Sequence, residues 1–250
     1  MHRTNMLTGQ TPFDAVFISD LHLHPDKPVI TERFNNCIDW LASNCRALYI
    51  LGDFFHAWPG DDGFDAWSLR IAARLKWLSS HGIPIYFMVG NRDFLIGEGF
   101  AKESDVILLA EPTVVHIDEI SILLVHGDRY CIKDKAHQWF RKLTRNRFFP
   151  KIFLKIPFKL RNKMVAQVRQ ISQSGQYKPE LMDVVPKVML AHMQHFNVTT
   201  LIHGHTHKYG LTKHLHKGVN FNQYILSDWD DSPQLLCYHK SKGFQFVQFS

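Results

Sequence analysis

The chain has 250 residues, of which 45% are hydrophobic and 21% charged, with 16 histidines and a net charge of +6; this is an ordinary globular composition, long enough for one large α/β domain or a domain plus an insertion. No apolar run approaches the ~20 residues of a membrane-spanning helix, and residues 1–11 are polar and lack a signal-peptide core, so the protein is expected to be soluble or at most attached to a membrane surface. Cys37, Cys45, Cys131 and Cys237 are scattered, which fits reduced thiols in a cytoplasmic protein better than disulfides or a zinc knuckle.

Residues 14–19 form a short apolar run of strand type that ends in Asp20-Leu21-His22. Phe34, Ile38 and Leu41 then recur at helical spacing over residues 31–44. A second strand at 46–51 ends in Gly52-Asp53. Asp65 is placed to cap a helix bearing Trp67, Ile71, Leu75 and Leu78, with Gly82 as terminator. A third strand at 83–89 ends in Gly90-Asn91-Arg92-Asp93. Two or three short β-like runs follow, at 106–109, 113–117 and 120–125, the last ending in His126-Gly127-Asp128.

From 129 to 196 the strand signal disappears. Residues 136–147 and 160–171 read as helices, and Pro179 opens a third that Pro186 would kink or restart. The β pattern returns with Leu201-Ile202-His203-Gly204-His205-Thr206-His207 and continues to 249. Residues 129–178 hold 14 Lys/Arg and a single acid, Asp134, whereas the rest of the chain has 15 basic and 22 acidic residues. The expected organisation is therefore a core of residues 1–128 and 197–250, interrupted by a basic helical insertion at 129–196. The insertion interleaves cations with large apolar residues, which suits an anionic membrane surface; a nucleic-acid patch is the competing reading.

Asp20, His22, Asp53, Asn91, His126, His205 and His207 all fall at or just past the end of an apolar run. In α/β sheets that is where ligands are held. Side chains two apart in an extended segment point the same way, so His205 and His207 can reach one point. Seven oxygen and nitrogen donors exceed one tetrahedral site and suit two ions of the Mn²⁺, Fe²⁺ or Zn²⁺ type. Two ions ~3.5–4 Å apart clamp the attacking and leaving oxygens of a phosphoryl displacement. Each motif alone also reads as a polar turn; their joint occurrence at five strand ends favours the metal reading. His137 and nine further histidines without supporting neighbours are expected at the surface or in the core, and His203 behind the site.

The ordered set Asp-x-His, Gly-Asp, Gly-Asn, His and Gly-His-x-His, from Asp20 to His207, resembles the calcineurin-like metallophosphoesterases. The resemblance implies an α/β (α+β) fold, a four-layer αββα sandwich, here with a helical lid insertion. It also implies two divalent ions, usually Mn²⁺. Asp20, His22, Asp53 and His207 would hold one ion, and Asp53, Asn91, His126 and His205 the other. Arg92 after Gly-Asn, the stretch from Tyr49 to Asp62 and Tyr224-Ile-Leu-Ser-Asp-Trp229 are similar to the branch that hydrolyses the diphosphate of a UDP-linked acylated sugar in lipid A biosynthesis. That branch implies a UDP-linked lipid substrate, attachment to the cytoplasmic face of an anionic inner membrane, and neither a nucleic-acid partner nor an obligate protein partner. Carried over by position, Asn91, Arg92, Asp134, Ser172, Gln176, Lys178 and His205 would contact substrate, with Arg92 and His205 at the reacting phosphate. The chain departs from that branch at His56, where an acid is common, at Ile132-Lys133, and at His137, where a tyrosine is frequent.

Overall fold

A computed structural model describes residues 11–146, 148–174 and 183–249, the side chains of 171–174 excepted. The first sheet runs in the order β11(Gly243–Gln248), β10(Gln234–His239), β1(Ala15–Ile18), β2(Leu48–Leu51), β3(Ile85–Met88), β4(Ile107–Leu109). Its strands β1 to β4 are parallel, and β10 runs antiparallel to β1. The second sheet runs β5(Thr113–Ile117), β6(Ile120–Leu124), β7(Thr200–His203), β9(Val219–Ile225), β8(Gly210–His216). There β6, β7 and β9 are parallel to one another.

β1, β2 and β7 are buried along their whole length, so their side chains must serve two apolar surfaces at once. In β1, Ala15 and Phe17 face the second sheet and meet Ile122, Leu124 and Ile202 in one cluster. Val16 and Ile18 face the other way, against Phe34, Ile38 and Leu41 of α1(Pro28–Asn44) and Ile71, Leu75 and Leu78 of α2(Ala66–Ser80). On the far side of the second sheet, Leu123, Val125 and Leu201 pack on Met189 and Met193 of α7(Pro186–His195). The result is the helix–sheet–sheet–helix stack of four layers. Asp65 caps α2, its Oδ1 accepting from the Ser68 amide at 2.7 Å. The short helix α3(Glu98–Ser104) has no counterpart in the sequence reading, because only Phe100 and Ser104 are buried and too few apolar positions exist to show a period.

Between β6 and β7 lie α4(Lys135–Thr144), α5(Phe149–Phe153), α6(Phe158–Ser174) and α7. α7 belongs to the outer layer of the sandwich, whereas α4 to α6 present Trp139, Phe148, Ile152, Leu160, Met164 and Val168 to solvent. The basic residues there divide by type. Lys133, Lys135, Lys142, Lys151, Lys155, Lys159 and Lys163 are exposed. Arg145, Arg161 and Arg169 instead turn inward, donating to Val89 O at 3.2 Å, Pro59 O at 2.5 Å and Asn91 O at 3.2 Å. A planar guanidinium fork satisfies carbonyls that a strongly hydrated ammonium would not desolvate to reach. Part of the positive charge of this segment therefore pins it to the core and is not displayed to solvent.

Candidate metal centre

The residues that follow β1, β2, β3, β6 and β7 converge on one place. Asp20, His22 and His207 place one ligand atom each within 4.8 Å of one another, and so do Asp53, His126 and His205. Asp53 lies between the two groups, its Oδ2 3.4 Å from His22 Nε2 and its Oδ1 3.5 Å from His126 Nε2. Asn91 Oδ1 is 2.9 Å from His126 Nε2. The structure thus brings all seven strand-end residues into one cluster. Asp20, His22, Asp53, His205 and His207 have φ between 50° and 69°, a left-handed conformation that costs a non-glycine residue about 1–3 kcal/mol. Five such residues at one point mark the place where the fold has been bent to aim side chains. Gly204 is required for the same reason, since a Cβ there would lie 2.2 Å from both Asp20 Oδ2 and Ser19 Oγ.

Burial alone would raise the carboxyl of Asp20, but its contact with His207 and the charge of His126 hold it at about 2. Burial likewise opposes ionisation of Asp53, and His126, His22 and Arg92 outweigh it, keeping that carboxyl well below its ordinary range. Burial depresses His126 and His207, yet Asp53 and Asp20 raise the first to about 9, and Asp20 and Asp228 raise the second to about 10. For His205, burial with His126 beside it outweighs the opposing pull of Asp128 and Asp53 and draws it down to about 3. Asp20 Oδ1 is buried without a hydrogen-bond partner, 3.6 Å from His207 Nε2 and 4.0 Å from His22 Nε2. An ionised oxygen facing two imidazole nitrogens from beyond hydrogen-bond range leaves lone pairs free for a cation. The donor set, mixed oxygen and imidazole nitrogen, fits a divalent first-row metal.

Residues 14–209 match the family described as Calcineurin-like phosphoesterase. The chain belongs to this family. Among similar proteins, the UDP-2,3-diacylglucosamine hydrolase of Pseudomonas fluorescens (strain SBW25) is 39% identical over 94% of each chain. The protein of that name from Proteus mirabilis (strain HI4320) is 44% identical over 78% of this chain and 82% of its own. The one from Pseudomonas aeruginosa (strain UCBPP-PA14) is 40% identical over 86% and 91%.

In this calcineurin-like phosphoesterase, a ring of outer partners orients the cluster. Leu51 O accepts from His126 Nδ1 at 2.9 Å, which turns Nε2 toward Asp53. His207 Nδ1 is 3.2 Å from Asp228 Oδ2, turning its Nε2 toward Asp20. Buried Asp93 accepts from the amides of Gly90 (2.6 Å) and Phe54 (2.8 Å), fixing the Asp53 and Asn91 loops together. Sequence reasoning assigned no role to Asp93 or Asp228, because each acts through a residue distant in the chain. Outer partners of metal ligands typically contribute about 10–100-fold in affinity or activity. Asp228→Asn is accordingly expected to weaken metal binding by that order, read by metal titration of the stripped protein.

His137 is a correction. Expected at the surface or in the core, it stands beside the cluster, its ring centroid 5.5 Å from that of His205 and its Nε2 3.5 Å from buried Asp128. His203 is buried behind the site, where its Nε2 meets Gln223 at 2.9 Å. Arg92 Nε lies 3.2 Å from Asp53 Oδ2. His56, lowered to about 4 by burial and by Arg92 and Arg169, is neutral at physiological pH and accepts from Arg92 Nη1 at 3.3 Å, steadying the guanidinium. Asp134 caps α4, its Oδ1 accepting from the His137 amide at 2.9 Å. The side chain of Ser172, and Gln176, Lys178 and Pro179 altogether, lie outside the described residues.

Proposed function

We propose that this chain hydrolyses the diphosphate of UDP-2,3-diacylglucosamine to UMP and 2,3-diacylglucosamine 1-phosphate, a step of lipid A biosynthesis. What carries this reading is the 39–44% identity, over most of both chains, to proteins named UDP-2,3-diacylglucosamine hydrolase. The oxygen of a water adds to one phosphorus, the bond from that phosphorus to the bridging oxygen breaks, and two phosphate monoesters leave, the water's protons passing to them or to solvent.

Asp20, His22, Asp53 and His207 would hold one divalent ion, and Asp53, Asn91, His126 and His205 the second, Mn²⁺ being the usual metal of the branch it resembles. When bound, such a pair supplies an acidified water and neutralises charge on the phosphoryl oxygens. Arg92 orients the diphosphate through its fork of donors, with His56 holding the guanidinium. His205 borders the reacting phosphate, and Asp134, Ser172, Gln176 and Lys178 are proposed to contact the substrate. Arg92 is partly exposed, so Arg92→Gln is expected to lower kcat/KM by about 10–100-fold, short of the roughly 10²–10³ of a fully desolvated oxyanion donor.

A cavity of about 720 Å³ lies between the core, at Leu23, Phe55 and Trp58, and α6, at Phe158, Val165 and Arg169. Its apolar walls suit acyl chains, and α4 to α6 of the insertion expected at 129–196 are read as the lid over them, α7 belonging to the sandwich. No helix among the described residues is long and apolar enough to cross a membrane. The exposed Trp139, Phe148 and Ile152, set among exposed lysines, support a peripheral position on the cytoplasmic face of the inner membrane. Vesicles of phosphatidylglycerol are therefore expected to co-sediment the protein, and Trp139→Ser with Ile152→Ser to release it; unchanged binding of the double variant would rule out this face.

The test of the function is incubation of the Mn²⁺-loaded protein with UDP-2,3-diacylglucosamine in ¹⁸O-water. UMP and the sugar 1-phosphate should appear, with the label on one of them showing which phosphorus is attacked. Turnover of simple phosphodiesters or nucleotides alone, with none of the UDP-lipid, would support another calcineurin-like phosphodiesterase instead.

A further inference from the structure

Away from the metal centre, the turn that follows β6, together with α4 and α7, lines an open cleft of about 360 Å³. That is within the range of about 300–1,000 Å³ typical of small-molecule sites. None of the seven clustered strand-end residues lines it. Its polar lining is Arg129, Tyr130, Arg141, His192 and His195, and Val188 and Ala191 of α7 supply an apolar wall.

The charges there are unevenly matched. Arg141 is matched on its far side, where Nη2 lies 3.0 Å from Glu111 Oε2 and Nε 3.1 Å from Asp128 Oδ2. Arg129 is not matched in this way. Its Nη1 is buried and has no hydrogen-bond partner among the described residues. A buried charged donor is normally given an acceptor, because leaving it bare forfeits its hydration for nothing. His192 meets Tyr130 Oη through Nδ1 at 2.7 Å. Burial chiefly, and then the proximity of Arg129, His195 and Arg141, lower it to about 4. Among the described residues, no carboxylate lines the cavity. The donors come from two separate elements, Arg129 from the turn and His192 and His195 from α7, so they approach from different directions. That arrangement suits a tetrahedral oxyanion better than a planar carboxylate.

We propose that this cavity is a binding site for a phosphate monoester, the phosphate held by Arg129 with His192 and His195, and the organic group resting on Val188 and Ala191. The shared chemistry has two sources, a small free ester and the headgroup of a phosphatidic acid.

The test uses metal-loaded protein in two arms, comparing the wild type with Arg129→Gln and with His195→Asn, the latter exposed on α7 and losing only an edge contact with Phe196. In the first arm, radiolabelled glycerol 3-phosphate is titrated by equilibrium dialysis; ester bound at the metal centre is common to all three proteins and cancels in the difference. The wild type is expected to bind one further equivalent, about tenfold or more weaker in Arg129→Gln and several-fold weaker in His195→Asn, with turnover unchanged in both. In the second arm, vesicles of phosphatidic acid in phosphatidylcholine replace the ester; a difference between wild type and variants seen only there assigns the site to the headgroup. Equal binding by all three proteins in both arms overturns the proposal.

Discussion

Asp53→Ala is expected to abolish hydrolysis, lowering kcat by about a thousandfold or more, while the chain remains folded. An outer partner of a metal ligand contributes about 10–100-fold, and Asp53 is more than an outer partner. Its two oxygens face the two halves of the cluster separately, Oδ2 toward His22 at 3.4 Å and Oδ1 toward His126 at 3.5 Å. Removing it takes a donor from both groups at once and leaves Arg92 without the carboxylate 3.2 Å from its Nε. The fold should tolerate the loss. Asp53 sits past the end of β2, not in a strand, and its backbone, at φ 51°, costs alanine about 1–2 kcal/mol. The measurements are metal content by mass spectrometry, thermal unfolding by circular dichroism, and turnover of the UDP-lipid. Near-normal turnover in a folded variant would sink the two-metal reading. Asp53→Asn separates charge from shape, since it keeps an oxygen donor and loses the negative charge.

The reason this cluster could be found from sequence is local. Each member follows an apolar run and sits beside a turn, and a strand that must be buried on both faces announces its end by the change from apolar to polar residues within a few positions. Asp20 after Ile18 and Ser19, Asp53 after Gly52, and His205 after Gly204 are such ends. The four layers were legible for the same reason, as runs such as Leu48–Leu51 have no polar face to give to solvent. What escaped was whatever depends on two distant segments meeting. His137 looked like any helix histidine until α4 brought it beside His205. Asp228 belongs to the cluster only because the turn after β9 returns to His207. The inward arginines were illegible too, because composition counts Arg145, Arg161 and Arg169 alike with the exposed lysines.

Arg161 shows how much that distinction matters. Its side chain is fully buried, and its guanidinium donates to Pro59 O, to Leu154 O at 2.9 Å and to Ile156 O at 2.8 Å, besides pairing with Asp62. Two of those acceptors lie in the link between α5 and α6, and the other two lie in the loop after β2 that leads from Asp53. One side chain therefore joins the turn of the insertion to the rim of the metal centre. Arg161→Leu keeps apolar bulk but orphans three carbonyls away from water, whereas Asp62, half-exposed, is re-solvated. Breaking a buried charged network of this kind costs about 3–5 kcal/mol. The cost should fall on the insertion and not on the sandwich, whose core clusters Arg161 does not enter. Hydrogen exchange of residues 149–170 is expected to lose about a hundredfold or more of its protection, with β1, β2 and β7 unchanged. Because Arg169 on the same helix donates to Asn91 O, the substrate KM should rise more than kcat falls. Unaltered exchange across α5 and α6 in Arg161→Leu would mean that the exposed apolar contacts, and not this guanidinium, hold the insertion in place.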